Sequence, residues 1–353
     1  MRILVLSRYS WLGASSRVRC YQYIPYLEAQ GFRVTIAPLL DDDYIRNLYA
    51  GKPKRPVSIV GAYLRRLRGL LSVRHYDLLW IEKELFPWLP SWVEVLLAHG
   101  TIPYVVDYDD AIFHRYDIHP NKLARLLLGS KIDRVMGGAA LVVAGNDYIA
   151  ERARQAGAKR VEYLPSVIDL DRYPLAPARK NTDFTIGWVG TPITARYLYP
   201  VRAALSEVCY GDKARLILVG AGGIGLAGVP TESHSWSEET EVAEIQGFDV
   251  GIMPIPDEPW ECGKCGYKLI QYMACGRPVV ASPVGMNNQI VENGVNGFLA
   301  STAVEWVRAL NTLKDDPNLG ERMGKAGRKK VEEKYCIQVT APRLASLLRS
   351  VVR

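Results

Sequence analysis

Short apolar runs alternate with amphipathic stretches along most of the chain. In the first half, the runs Arg2–Ser7, Arg33–Ala37, Leu78–Ile81, Tyr104–Asp107, Ala140–Ala144 and Val161–Leu164 are rich in Val, Ile and Leu. They are patterned for burial on both faces, as strands of a parallel sheet are. Helical periodicity falls between them at Arg19–Gln30, Trp92–His99 and Lys122–Gly137. A stretch of weak periodicity, Pro165–Asp183, then interrupts the order, and a second series begins. Its strands are expected at Phe184–Val189, Arg215–Val219, Val250–Pro254, Pro278–Ala281 and Gly297–Ala300, and Pro342–Val351 reads as a closing helix with one apolar face. Repeated βα units on this scale predict an α/β protein with two doubly wound parallel sheets.

Length agrees with that division, because 353 residues support two cores more readily than one. The expected domains are 1–175 and 176–335, with 336–353 as a terminal helix packing back toward the first. No apolar run approaches the length of a membrane span. The start, Met1–Ser7, is too short for a signal peptide and reads as the first strand. Six scattered cysteines, at 20, 209, 262, 265, 275 and 336, suit a reduced cytoplasmic protein. Cys262 and Cys265 form an isolated CxxC, and the five histidines offer no partners at zinc spacing, so no metal is expected.

The net charge of +7 is unevenly spread. Seven Lys or Arg and no acid lie between Lys52 and Arg74, on a stretch whose Val60, Tyr63, Leu64, Leu67, Leu70 and Leu71 recur at helical spacing. Such a helix either packs its stripe on the sheet or approaches an anionic membrane surface. Nucleic acid is not an expected partner, because no aromatic stacking platform or reader motif accompanies the charge.

Candidate chemistry collects beyond the carboxyl ends of the strands, where open α/β sheets bind ligands. After the first strand, the small residues around Gly13 allow close backbone approach and Arg17 can pair with an anion; a simple turn ahead of a capped helix explains them equally. After Val189, Gly190 and Thr191 lead into a helix expected to begin near Pro192–Thr194, with Arg196 suited to a phosphate. Gly220 opens a third glycine turn. The fourth corner, Gly266 to Ser282, sets Lys268 and Gln271 on one helix face beside Gly266. Asp107, Asp109 and Asp110 close a buried strand, where carboxylates are costly unless solvated, paired or used. They either handle an acceptor hydroxyl or serve in caps and salt bridges. His114, a turn further on, is a candidate acceptor contact or a packed histidine.

In their order and spacing, several segments resemble retaining GT-B glycosyltransferases of family 4, the glycosyl transferases group 1. These are Leu141–Ala150, Leu164–Asp169, Ile186–Gly190, Asp249–Pro254 with Tyr272–Ala281, and Asn293–Leu299. The resemblance implies two Rossmann-like domains facing across a deep cleft. It implies transfer of a sugar, with retention, from a nucleotide sugar (UDP- or GDP-linked) to a glycan or lipid-linked hydroxyl. No further cofactor is required. Arg196, Lys268 and Asp110 are the expected catalytic set. Gly13, Gly190, Thr191, Gly220, Gly266, Gln271 and Asn288 form the donor side, and Arg17, Asp107, Asp109, His114 and Asn146 the acceptor side. The family's glutamate pair, eight positions apart, falls here on Gly263 and Gln271; a further family glutamate is Gln289, and a usual basic residue is Thr191. These departures leave two other readings: a non-catalytic GT-B-like partner or sugar-nucleotide-binding protein, and a nucleotide-sugar epimerase or phosphorylase. The expected location is cytoplasmic, with the inner face of the cell membrane as the candidate surface.

Overall fold

The computed structural model describes residues 1–352 apart from 54, 99, 101, 176–182, 212 and 213. Lys54 and His99, and the part of the expected seam from 176 to 182, therefore lie outside the described residues. Two six-stranded sheets carry the fold, and every strand pairing is parallel.

The first sheet comprises β1 (Arg2–Leu6), β2 (Arg33–Ile36), β3 (Leu78–Glu82), β4 (Tyr104–Tyr108), β5 (Leu141–Ala144) and β6 (Val161–Tyr163), ordered β2-β1-β3-β4-β5-β6. Strands β3, β4 and β5 are buried along their whole length, whereas the edge strand β2 exposes Arg33, Thr35 and Ile36 in line with its weaker apolar pattern. The second sheet comprises β7 (Phe184–Val189), β8 (Ala214–Val219), β9 (Thr231–His234), β10 (Val250–Met253), β11 (Val279–Ala281) and β12 (Gly297–Leu299), ordered β12-β11-β10-β7-β8-β9. Its core gathers Ile186, Trp188, Leu198, Leu216, Ile252 and Leu310.

The chain divides into two compact units. One contains Met1–Ser166, Cys262–Cys265 and the chain from Thr340 onward; the other contains Val167–Glu261 and Gly266–Val339. Within the first unit, Tyr23 and Thr340 hydroxyls lie 3.0 Å apart, and Arg349 donates to the Gln30 carbonyl at 2.8 Å.

Four elements differ from the sequence pattern. The expected helix Arg19–Gln30 is instead the end of an α-helix Ala14–Arg19, a 3-10 turn Tyr21–Tyr23 and an α-helix Ile24–Ala29. The stretch Lys122–Gly137 forms two helices, Lys122–Leu128 and Lys131–Gly138, separated by Gly129 and Ser130. The helix expected from Pro192–Thr194 is a 3-10 helix, Ala195–Val201, followed by α-helix Arg202–Val208. Pro200 lacks the N–H that an α-helix would use there. Strand β9 (Thr-Glu-Ser-His) has no apolar run, because as an edge strand it leaves Glu232 and Ser233 exposed.

Candidate active site

In the second unit the strand order reverses between β7 and β10. At such a switch point the loops diverge and leave a crevice beyond the carboxyl ends of the strands. The chain leaves β7 through Gly190, which packs flat on the buried Trp188 indole; a Cβ there would lie 2.3 Å from the ring. Gly220, which follows β8, has φ +77°, and a Cβ on it would lie 2.4 Å from the Gly190 carbonyl oxygen. The two glycine turns therefore touch, and both need the absence of a side chain. Thr191 and Thr194 brace the first turn, with the Thr191 N–H donating to Thr194 Oγ1 at 3.1 Å and the hydroxyls 3.2 Å apart.

Beyond β10 the chain reaches Gly266, whose left-handed φ of +65° opens the helix Tyr267–Ala274 with no side chain capping its amino end. Uncapped N–H groups and the helix dipole give that end partial positive charge. One residue in, Lys268 places Nζ 4.3 Å from the Trp188 ring centroid. Lys268 and Gly190 thus meet on the same indole at the switch point. Arg196 is exposed, with its guanidinium 5.2 Å from the Tyr197 ring. The Tyr197 hydroxyl donates to Glu261 Oε1, while the second oxygen of this buried carboxylate has no hydrogen-bond partner among the described residues. A buried acceptor without a partner is uncommon and marks this carboxylate as a candidate ligand contact.

Gln271 is buried and its amide donates to the Tyr173 hydroxyl at 3.0 Å, which donates in turn to Glu241 Oε1 at 2.8 Å. Trp236 Nε1 holds the other Glu241 oxygen at 2.5 Å. An amide fits this chain because it supplies a proton toward a site that already has one carboxylate. Gln271→Glu is expected to cost roughly 1–3 kcal/mol at pH 7. The cost should shrink as pH falls from 7 toward the ordinary carboxylate value of about 4.3 and be gone below it, since the introduced acid would titrate above its unfolded value. Denaturant midpoints at pH 7 and pH 4 measure this, and an equal penalty at both would contradict the like-charge argument. Asn288 is exposed and donates to the Pro283 carbonyl at 3.0 Å.

Gly13 belongs to the first unit, unlike the other residues of the expected donor side. It precedes the helix Ala14–Arg19, and a Cβ there would lie 2.2 Å from that of Tyr9. The carboxyl ends of β1, β3 and β4 converge on a cluster that sequence reasoning overlooked at its centre. Lys83 is 5% exposed and adopts φ +64°, rare for a lysine. Its Nζ lies 2.9 Å from Asp109 Oδ1 and 3.5 Å from Asp110 Oδ2, and donates to Ser15 Oγ at 2.9 Å. Ser15 donates to Asp109 Oδ2 at 2.5 Å, and Lys264 stands 3.5 Å from Asp110. Burial alone would raise the Asp109 pKa, but Lys83 and Ser15 override it and hold the group near about 2.

Its neighbours are also charged and buried. Glu82 accepts from the Arg8 N–H and the Ser16 hydroxyl, while Glu84 takes Arg8, Lys131 and the Tyr116 hydroxyl. Three consecutive charges at the carboxyl end of a buried parallel strand, Glu82 to Glu84, are the signal that could reveal this cluster, by the reasoning that singles out the aspartates.

The remaining residues of the expected acceptor side are committed to partners, whereas Asp110 of the expected catalytic set stays partly accessible. Asp107 is buried with both oxygens taken by Arg19, at 2.7 and 3.0 Å, and Arg19 also donates to the Leu164 carbonyl. As folded, Asp107 holds a helix to the sheet. Asn146 caps the helix Asp147–Gln155 and donates to the Gly263 carbonyl at 2.7 Å. Arg17 is buried and donates to the Trp11 carbonyl at 3.2 Å. Both His114 ring nitrogens are engaged, by Asp117 and the partly exposed Tyr148, each at 2.8 Å. Asp110 keeps 28% of its side chain exposed. Burial pushes the Cys265 thiol up to about 12, far from a reactive thiolate, and its Sγ donates to the Asp109 carbonyl. Among the described residues no group of three or more His, Cys, Asp or Glu is placed to hold a metal.

Residues 183–316 match the family described as glycosyl transferases group 1. A sucrose synthase from Melioribacter roseus is 33% identical over 90 residues, which is 24% of this chain and 11% of that protein. An alpha-D-kanosaminyltransferase from Streptomyces kanamyceticus is 30% identical over 88 residues, again 24% of this chain and 23% of that protein. The matched stretches are thus under a quarter of these relatives' own lengths. Among solved structures, Anabaena HepE in complex with UDP and glucose superposes with a TM-score of 0.72 at 18% identity, covering 99% of this chain and 100% of that one. The fold is GT-B.

Proposed function

We propose, from a GT-B fold whose second unit carries the glycosyl transferases group 1 segment, that the protein is a retaining glycosyltransferase. It takes a UDP- or GDP-sugar and moves the sugar to a hydroxyl of a glycan or lipid-linked acceptor. The observation that carries this reading is the meeting of Lys268 and the Gly190 turn on Trp188, beside an uncapped helix end at the sheet's switch point. A diphosphate is suited by the amino end of a helix, with its dipole, and a fixed cation beside it. Lys268 and Arg196 stabilise charge on the departing diphosphate, and the reaction needs no resident metal. The open oxygen of Glu261 accepts from a donor hydroxyl, a part that the substituted Gln271 has given up to its internal network. In the first unit, Asp110 orients the acceptor hydroxyl while Lys83 and Asp109 hold its loop. With a lipid-linked acceptor, the work is done at the cytoplasmic face of a membrane.

The test is a panel of UDP- and GDP-sugars with simple glycan acceptors, followed by nucleoside diphosphate release and the anomeric configuration of the product by NMR. Acceptor-dependent release with retention is expected. Nucleotide binding without release would support the non-catalytic reading that the altered glutamate positions leave open, and donor conversion without acceptor would support an epimerase.

A further inference from the structure

We infer that the outer face of the helix Pro56–Leu70, with the adjoining Trp88 loop, is a docking surface for an anionic lipid bilayer. Val57, Val60, Leu64, Leu67 and Leu71 follow one another at spacings of three and four, so they form a single stripe. Rather than packing on the sheet, this stripe faces outward, from 85% exposure at Val57 to 39% at Leu67. The helix is anchored by its opposite side. Ala62 is buried, and Arg66 is buried one turn later, donating to the Ser7 and Ala37 carbonyls at 2.5 and 3.0 Å. Arg66 is therefore a tether and not part of the basic surface that its sequence neighbours suggest.

Tyr63 extends the patch, because its hydroxyl donates to the Pro87 carbonyl at 2.5 Å and its ring lies 5.5 Å from that of Phe86. That loop carries Trp88 and Leu89, both exposed, and leads to the exposed Trp92. Indoles beside an aliphatic stripe favour the interface between water and acyl chains.

Charge selects the occupant. Lys52, Arg55, Arg65, Arg68 and Arg74 are all exposed around the stripe, and no Asp or Glu occurs between 52 and 74. A second copy of the chain meeting this face symmetrically would oppose like charges. Phosphate-bearing lipid instead complements the rim while the stripe enters the headgroup boundary.

The full chain is tested by co-sedimentation with phosphatidylcholine vesicles, with and without phosphatidylglycerol. Binding only to the anionic vesicles is expected. Each cation near such a surface strengthens binding roughly fivefold, so Arg65→Gln with Arg68→Gln should weaken it about twenty-five-fold. Leu64→Ser with Leu67→Ser should abolish the binding that survives high salt. All four side chains are exposed, so unchanged melting temperatures confirm folding. Equal partitioning onto neutral and anionic vesicles, or insensitivity to both pairs of substitutions, would overturn the proposal. So would a dimer in sedimentation velocity that the leucine substitutions dissociate.

Discussion

Lys268→Ala is expected to lower glycosyl transfer by roughly 10²- to 10³-fold, the scale seen when one preorganised charge-stabilising group is lost. The lysine is half-buried, and its position over the Trp188 face fixes the ammonium before any ligand arrives. A cation already in place costs no reorganisation when the diphosphate departs. Its contribution to folding is smaller, on the order of 1 kcal/mol for a cation–π contact. Initial rates of nucleoside diphosphate release, set beside the melting temperature, separate the two effects. Arg196→Ala should lose less activity, because Arg196 is exposed and its guanidinium is held against Tyr197 at the surface. Wild-type turnover in Lys268→Ala would remove the lysine from the diphosphate site.

The largest effect on stability is expected from Lys83→Met. The substitution strands the carboxylate of Asp109, whose side chain is 14% exposed, without its charge partner. Breaking a buried pair from one side typically costs about 3–5 kcal/mol. Lys83→Met combined with Asp109→Asn should recover most of that loss, because it removes both charges. The wild-type protein carries the corresponding pH signature. Asp109 is held near about 2 when folded and titrates at its ordinary, higher value when unfolded. Its stabilisation is therefore complete above about 4 and is lost as pH falls toward 2. Urea midpoints of the three proteins across that range measure both effects. A double variant as unstable as Lys83→Met would show that Lys83 acts through its contacts with Ser15 and Asp110 and not through the Asp109 pair.

The sheets are legible in the sequence because eleven of the twelve strands are apolar runs of the expected kind, and only the polar edge β9 escapes. The glycine corners are equally legible, since Gly190, Gly220 and Gly266 stand at strand ends or a helix start where only backbone can approach. What cannot be read is how side chains distant in sequence pair. Tyr173, Glu241 and Gln271 form one hydrogen-bond chain across almost a hundred residues of sequence, and that chain supplies a physical reason for glutamine where the family pattern has an acid. Arg66 could have been separated from Arg65 and Arg68 by its spacing of four from Ala62, which places both on the buried face. Lys83 is harder, because its left-handed backbone and its partner Asp109 are tertiary facts.

The central claim is that the carboxyl edge of the second sheet holds a nucleotide sugar, and thermal melting of the full chain with UDP- and GDP-linked sugars tests it most directly. At about a hundredfold excess over the dissociation constant, a ligand adds roughly 2.7 kcal/mol of stability. For a domain of this size, at roughly 2–4 °C per kcal/mol, that raises the midpoint by about 5–11 °C. The account predicts such a rise with at least one nucleotide sugar and a much smaller one in Lys268→Ala. A midpoint unmoved by every nucleotide and nucleotide sugar would contradict it.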